Sequence, residues 1–250
     1  NGYKRQNSDS VIFYRYGLAV IILGLILVIQ GTSLRVTWKE LSVLASLGVL
    51  FAISSLTLFT SFHYMDAGVA STILFVYPVM VAVILAVFFK ERLTIITVLS
   101  ILLALSGIGL LYQGGDGGTL NFTGVLLVVV SSLSYAIYMV IVNKSSLQMP
   151  PVKLTFYVML FSILTVVVHS FTGKANHLQM LTTPAMWGWA LMLAVVPTVI
   201  SLVLMAVAIK AIGSTPTAIM GALEPVTAVF IGVAVFGEIF TLRLGVGIVM

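Results

Sequence analysis

Apolar positions in this chain come in blocks of about twenty residues separated by short polar breaks, which is the length a helix needs to cross the hydrocarbon core of a bilayer. Nine blocks can be drawn. The first four run from about Val11 to Gln30, Trp38 to Phe62, Ala67 to Phe89 and Leu93 to Tyr112. A glycine-rich stretch from Gln113 to Asn121 follows, and then Phe122 to Asn143, Leu154 to Thr172, Ala185 to Ile209 and Ser214 to Phe236. The last block, from Leu242 to Met250, has nine residues and is too short to span. The strict apolar–polar alternation of a membrane barrel is absent, so helices are the remaining way to satisfy the backbone in lipid. The pattern predicts an all-α, polytopic helical membrane protein.

Two of these blocks say nearly the same thing. Tyr77 to Thr94 reads YPVMVAVILAVFFKERLT and Glu224 to Thr241 reads EPVTAVFIGVAVFGEIFT, a constant offset of 224 − 77 = 147. Pro78/Pro225, Val79/Val226, Ile84/Ile231, Phe89/Phe236, Glu91/Glu238 and Thr94/Thr241 are identical. Apolar composition could match the Val and Ile, but not a Pro and a Glu thirteen residues apart in both copies, in a chain with seven Pro and seven acidic residues. The chain therefore reads as two related units, residues 1–112 and 122–250, joined by a linker over 113–121. Carrying the offset through, the partner of the fourth block would end at 112 + 147 = 259, and the partner of Phe122 to Asn143 would precede residue 1. Ten helices, five per half, are expected, with the first helix and the end of the last absent and about nine present.

Composition sharpens this. Sixty per cent of residues are hydrophobic and eight per cent charged, with a mean hydropathy of +1.20, which no water-soluble surface requires. With no Cys, disulfide and thiol chemistry are excluded. The net charge of +5 acts as a topology signal and does not point to nucleic acid. Arg35, Lys39, Lys90, Arg92, Lys144, Lys153 and Lys210 fall on one side, and Lys4, Arg5, Arg15, Lys174 and Arg243 on the other, which puts the Lys90-Glu91-Arg92 turn in the cytoplasm. Five helices per half is an odd number, so the second copy should run the opposite way, as an inverted repeat.

Two five-helix halves, each with a Pro inside its fourth helix and a Glu-x-x-Thr turn after it, resemble the EamA family of the drug/metabolite transporter superfamily. Leu223-Glu224-Pro225, Ala208-Ile209-Lys210-Ala211-Ile212-Gly213 and Ser134-Tyr135-Ala136-Ile137-Tyr138 are similar to family elements. The sequence departs from the family at its absent first helix and at Ser61-Phe62-His63-Tyr64, where an Ala-Leu-basic pattern would stand. The resemblance implies an inverted repeat, cytoplasmic termini and outward movement of small metabolites.

Glu224 is in the middle of its block, ten residues from one end and twelve from the other, near the bilayer midplane, where an acid costs about 2.5–3.5 kcal/mol. It either binds a solute amine or a coupled proton, desolvation favouring the neutral form of a carboxyl, or it fixes packing through a hydrogen bond. Tyr77 holds the equivalent place in the first half. Pro78, Pro225 and Pro197 remove backbone donors in mid-helix and are candidate kinks or gates. Ser131, Tyr135 and Tyr138 share one helix face, Ser54, Thr57 and Ser61 a second, and Thr217, Glu224 and Thr227 a third. Glu224, Tyr77, Tyr135, Tyr138, Ser131 and Thr227 are the expected solute-binding residues of a central cavity, although a single Ser or Thr in such a helix often bonds backbone instead. Arg15 is placed at the outer end of its block, snorkelling, with anion binding as its other role.

These features predict a secondary transporter of the bacterial inner membrane that moves small organic metabolites such as amino acids outward by alternating access, open to coupling with protons. The alternative is a passive channel or structural membrane subunit. No enzyme constellation is present, and no cofactor, metal or nucleic-acid partner is expected. The gly-rich run at 114–118 lacks the Lys-Ser/Thr ending of a phosphate loop. A monomer or homodimer in the lipid bilayer, with a small-molecule substrate, is the expected state.

Overall fold

The computed structural model describes residues 8–65, 67–91, 121–145, 147–172 and 178–221, together with 94–95, 98–99, 101–103, 106, 223–224 and 227. Among them there is no strand. The helices are α1 (Ser8–Ile29), α2 (Trp38–Ser61), α3 (Ala67–Leu74), α4 (Tyr77–Phe89), α5 (Phe122–Lys144), α6 (Pro151–Thr172), α7 (Pro184–Ala194), a π-helical segment (Val195–Ile200), α8 (Ser201–Ile212) and α9 (Ser214–Met220). Five stretches among the described residues are long and apolar enough to cross a membrane: Asp9–Ile29, Trp38–Ser61, Phe122–Lys144, Pro151–Phe171 and Pro184–Ile212. Large apolar side chains such as Ile21, Leu25, Val87, Phe88, Leu164 and Leu204 face outward, as lipid-facing helices require. The blocks expected over 93–112 and 214–236 are described only in part, and 242–250 and most of the 113–121 linker lie outside the described residues.

Helix ends follow local chemistry. Thr37 opens α2 with a capping box: its side chain accepts from the Glu40 N–H, and the Glu40 carboxylate accepts from the Thr37 N–H at 2.7 Å. Asn121 and Thr183 cap α5 and α7 in the same manner. Lys90 closes α4 in the left-handed conformation, φ 55°, its N–H returning to the Leu85 carbonyl.

One expected block is broken. Ala67 to Phe89 reads as a single span in sequence, yet α3 stops at Leu74 and α4 starts at Tyr77, with Pro78 in the first turn of the new helix. The reason is covalent: Pro78 has no N–H for the carbonyl four residues back, and its ring collides with it. That carbonyl belongs to Leu74, where α3 ends.

Tertiary contacts fix direction. The Lys144 ammonium pairs with the Glu91 carboxylate, and Asn143 Nδ2 donates to Ser214 Oγ at 3.1 Å, so the end of α5, the end of α4 and the start of α9 share one level. Lys210 reaches the Met149 carbonyl at 2.6 Å and Lys153 the Arg35 carbonyl at 2.7 Å at this same end. Gly124, near the start of α5, lies against Met65 just after α2. Thus α3 and α4 run with α5 and α9 runs against it. Their starts, Ala67 and Ser214, are 214 − 67 = 147 residues apart.

The helices pack where small residues allow. α2 lies along α5 and α6, and α1 along α6 and α7. A Cβ on Gly48 of α2 would meet Phe161 Cβ at 2.4 Å and the Val158 carbonyl at 2.9 Å, and Ser162 Oγ donates to the Gly48 carbonyl at 2.9 Å. Here two backbones touch with a hydroxyl between them, the packing mode available where lipid removes the hydrophobic drive. A Cβ on Gly188 would meet nothing within 4 Å. Gly48→Ala is therefore expected to destabilise the bundle by about 1–3 kcal/mol through overpacking, while Gly188→Ala is neutral or slightly stabilising through helix propensity. Thermal unfolding of the two variants in detergent checks this, and an equal response would contradict it.

Candidate functional site

Where α2, α4 and α5 meet, aromatic side chains form a continuous cluster. The Tyr77 ring sits edge-on to Tyr135 at 5.1 Å between centroids, and Tyr135 stacks on Tyr138 at 6.0 Å and 12°. Phe51 of α2 touches Tyr138 at 5.5 Å and leads to Tyr16 of α1 at 5.8 Å. The helical spacing of Tyr135 and Tyr138 along α5 is what puts both on the face turned to α2 and α4. Three of the phenols find hydrogen-bond partners, as buried Tyr usually do. Tyr16 donates to Ser55, Tyr135 to Met205 Sδ at 2.9 Å and Tyr77 to the Ala218 carbonyl at 3.3 Å.

The last bond ties the start of the first repeated stretch to α9, the helix that leads to the second. Tyr77, just after the first break, crosses the end of α9, where Gly221 turns the chain out of the helix. A Cβ on Gly221 would lie 1.9 Å from Tyr77 Oη, so only glycine admits this approach. Three residues on, Glu224 is exposed, its N–H bonded to the Gly221 carbonyl at 3.0 Å, one turn beyond the Tyr77 crossing.

Of the residues expected to bind solute, Tyr77, Tyr135 and Tyr138 are thus brought together, with Glu224 one turn beyond them along the chain from Gly221. Tyr135 is half-buried, whereas Tyr77 and Tyr138 are buried. Ser131 is fully buried between helices, its Oγ donating to the Ser54 carbonyl at 2.7 Å, so its hydroxyl is spent on the α2–α5 contact. Thr227 Oγ1 bonds the Leu223 carbonyl of its own helix at 2.9 Å. Thr57, Ser61 and Thr217 also bond their own backbone. Pro225 lies outside the described residues.

Pro197 produces more than a kink. Val195–Ile200 is a π-helical turn, and the Leu193 carbonyl, deprived of a donor by Pro197, accepts the Thr198 hydroxyl at 2.9 Å. The Ser201 N–H goes to the Val196 and Thr198 carbonyls, leaving the Pro197 carbonyl without its α-helical donor. Arg15 supplies one: Nη2 donates to that carbonyl at 3.2 Å and Nε to Thr198 Oγ1 at 2.6 Å. This corrects the placement of Arg15 at a helix end. Because α1 begins at Ser8, Arg15 lies two turns inside the span and turns to the π segment. The sequence signal was a charge within an apolar block, the same signal that singled out Glu224.

Broken helices crossing at mid-span, held by hydroxyls and flanked by one acid and one base, define an integral membrane protein of the transporter class. The chain belongs to the EamA-like transporter family, whose model matches residues 2–113 and again 122–250. A relative from Archaeoglobus fulgidus, named as an uncharacterized transporter, is 27% identical, with 93% of this chain and 92% of that protein aligned. In Bacillus subtilis, uncharacterized transporter YcbK is 29% identical over 95% of this chain and 77% of its own, and YyaM is 25% identical over 94% and 78%. A solved crystal structure superposes with a TM-score of 0.81 over 97% of this chain and 85% of its own at 15% identity, a likeness of fold.

The Tyr77–Gly221 crossing makes a specific prediction. Gly221→Ala is expected to displace the Tyr77 ring and lower stability by about 1–3 kcal/mol. Adding Tyr77→Phe, which removes the colliding oxygen, should recover part of that loss. A double-mutant cycle on thermal unfolding in detergent reads the coupling, and strictly additive losses would contradict the contact.

Proposed function

We propose that this transporter is a secondary carrier built as an inverted repeat of two five-helix halves, residues 1–112 and 122–250. It moves small organic metabolites such as amino acids outward across a bacterial inner membrane by alternating access. The observation that carries the proposal is the crossing of α4 and α9, which run in opposite directions: Tyr77, beside the break in the first half, lies against Ala218 and Gly221, one turn before Glu224. Discontinuous helices crossing near the midplane are where inverted-repeat carriers hold their solutes.

Glu224 is the solute-amine or proton site, Tyr77, Tyr135 and Tyr138 form the wall against which the solute lies, and Pro78, Pro197 and Pro225 mark the points where helices flex. Ser131 and Thr227 support that wall through their helices. A wall of phenols with one acid suits a zwitterionic or weakly polar solute, whereas a doubly charged sugar phosphate would call for several basic groups. The carrier performs no catalysis, and an ion gradient or the solute's own gradient drives it.

Reconstitution in proteoliposomes with a labelled amino-acid and metabolite panel tests this. Saturable counterflow of at least one solute is expected, accelerated by a pH gradient. In Glu224→Gln, exchange should persist while acceleration by the gradient is lost. Gradient acceleration that survives in the variant would remove Glu224 from coupling, and unsaturable flux would favour a channel.

A further inference from the structure

Arg15 holds more charge than the bundle uses. Its guanidinium lies within a membrane span, half-buried, and no carboxylate pairs with it: the ion pairs among the described residues are Lys144 with Glu91 and His169 with Asp9. A cation held at that depth without a counter-charge is costly and is commonly functional.

Its orientation is pinned from one side. Nε and Nη2, which form the lateral edge of the guanidinium, are spent on Thr198 Oγ1 and the Pro197 carbonyl. Thr198 cannot swing away, because it is fully buried and its own proton goes to Leu193. The opposite edge, Nη1 with the second N–H of Nη2, meets no acceptor among the described residues. Two parallel N–H groups in a fixed plane are the geometry that receives a carboxylate through two hydrogen bonds. The π segment thereby converts a flexible arginine into an oriented fork, reducing the ordering that binding would otherwise require.

An aromatic cluster runs from this fork to the Tyr77–Ala218 crossing. Tyr16, next to Arg15, contacts Phe51 at 5.8 Å, Phe51 contacts Tyr135 at 6.4 Å and Tyr135 contacts Tyr77 at 5.1 Å.

We propose that the free edge of Arg15 is a carboxylate-binding subsite, and that the solute carries a carboxylate that lies on it. This rests on the carrier reading above and names the group that holds the solute's anionic end.

The test uses the full chain in proteoliposomes of defined lipid. The twenty labelled amino acids are compared in counterflow with their decarboxylated amines, for instance leucine against isopentylamine, for wild type, Arg15→Gln and Arg15→Lys. Wild type should take at least one amino acid about tenfold to a hundredfold better than the matching amine, the worth of one charge-assisted pair. Arg15→Gln should erase that preference by weakening the amino acid alone, and Arg15→Lys should recover part of it. Retained amine exchange in the variants is the control for folding. Equal use of amines and amino acids by wild type, or an unchanged preference in Arg15→Gln, overturns the subsite and leaves the carrier intact. A preference that follows the anionic lipid content of the vesicle, with no difference between solutes, assigns the fork to a phosphate headgroup and also overturns it. No exchange of any solute by folded protein overturns the carrier reading, and the subsite with it.

Discussion

A backbone carbonyl released inside hydrocarbon has no water to turn to, and this structure is arranged around three of them. Pro78 releases Leu74, Pro197 releases Leu193, and the turn at Gly221 ends α9 in the same region. Each is met by a specific group: Ser132 Oγ of α5 shares its proton between Leu74 at 3.2 Å and Val128 of its own helix at 2.9 Å, Thr198 Oγ1 donates to Leu193 at 2.9 Å, and the Glu224 N–H to Gly221 at 3.0 Å. Interrupting a membrane helix is tolerable only where such donors stand, so the interruptions dictate which helices must be neighbours.

The neighbours so dictated are those that build the candidate site. Ser132 ties the α3–α4 break to α5, and α5 also carries Tyr135 and Tyr138. The π segment ties α8 to α1 through Arg15, and the Tyr77–Ala218 bond ties α4 to α9. Each of these ties is one or two hydrogen bonds, worth about 0.5–1.5 kcal/mol apiece when neutral, and close backbone approach accompanies them at Gly221 as it does between intact helices at Gly48. The Lys144–Glu91 and Asn143–Ser214 contacts hold one end of α4, α5 and α9 together in the state seen here.

The all-helical, membrane-spanning character was legible because hydrophobic length leaves a clear trace in sequence. Tyr77, Tyr135 and Tyr138, which the structure clusters, stood out for a related reason, being polar groups in apolar blocks. What was not legible is which carbonyl each hydroxyl serves. Ser131 and Ser132 are adjacent and alike, but one joins α2 and the other the α3–α4 break, and only the tertiary arrangement separates them. Arg15 was placed too near the helix end because Ser8–Ser10, read as polar flank, are the first turn of α1. Gly221 carries no signal of its own; its meaning appears only when Tyr77 lies across it.

The absence of Cys makes the central claim, that the Tyr135 region opens in turn to each side of the membrane, directly measurable. A single cysteine at Tyr135 can be challenged with a membrane-impermeant maleimide in vesicles of each orientation, with and without solute. Alternating access predicts modification from both faces, with solute moving the two rates in opposite directions. Modification from one face only, or from both faces at rates that solute leaves unchanged, would contradict the account.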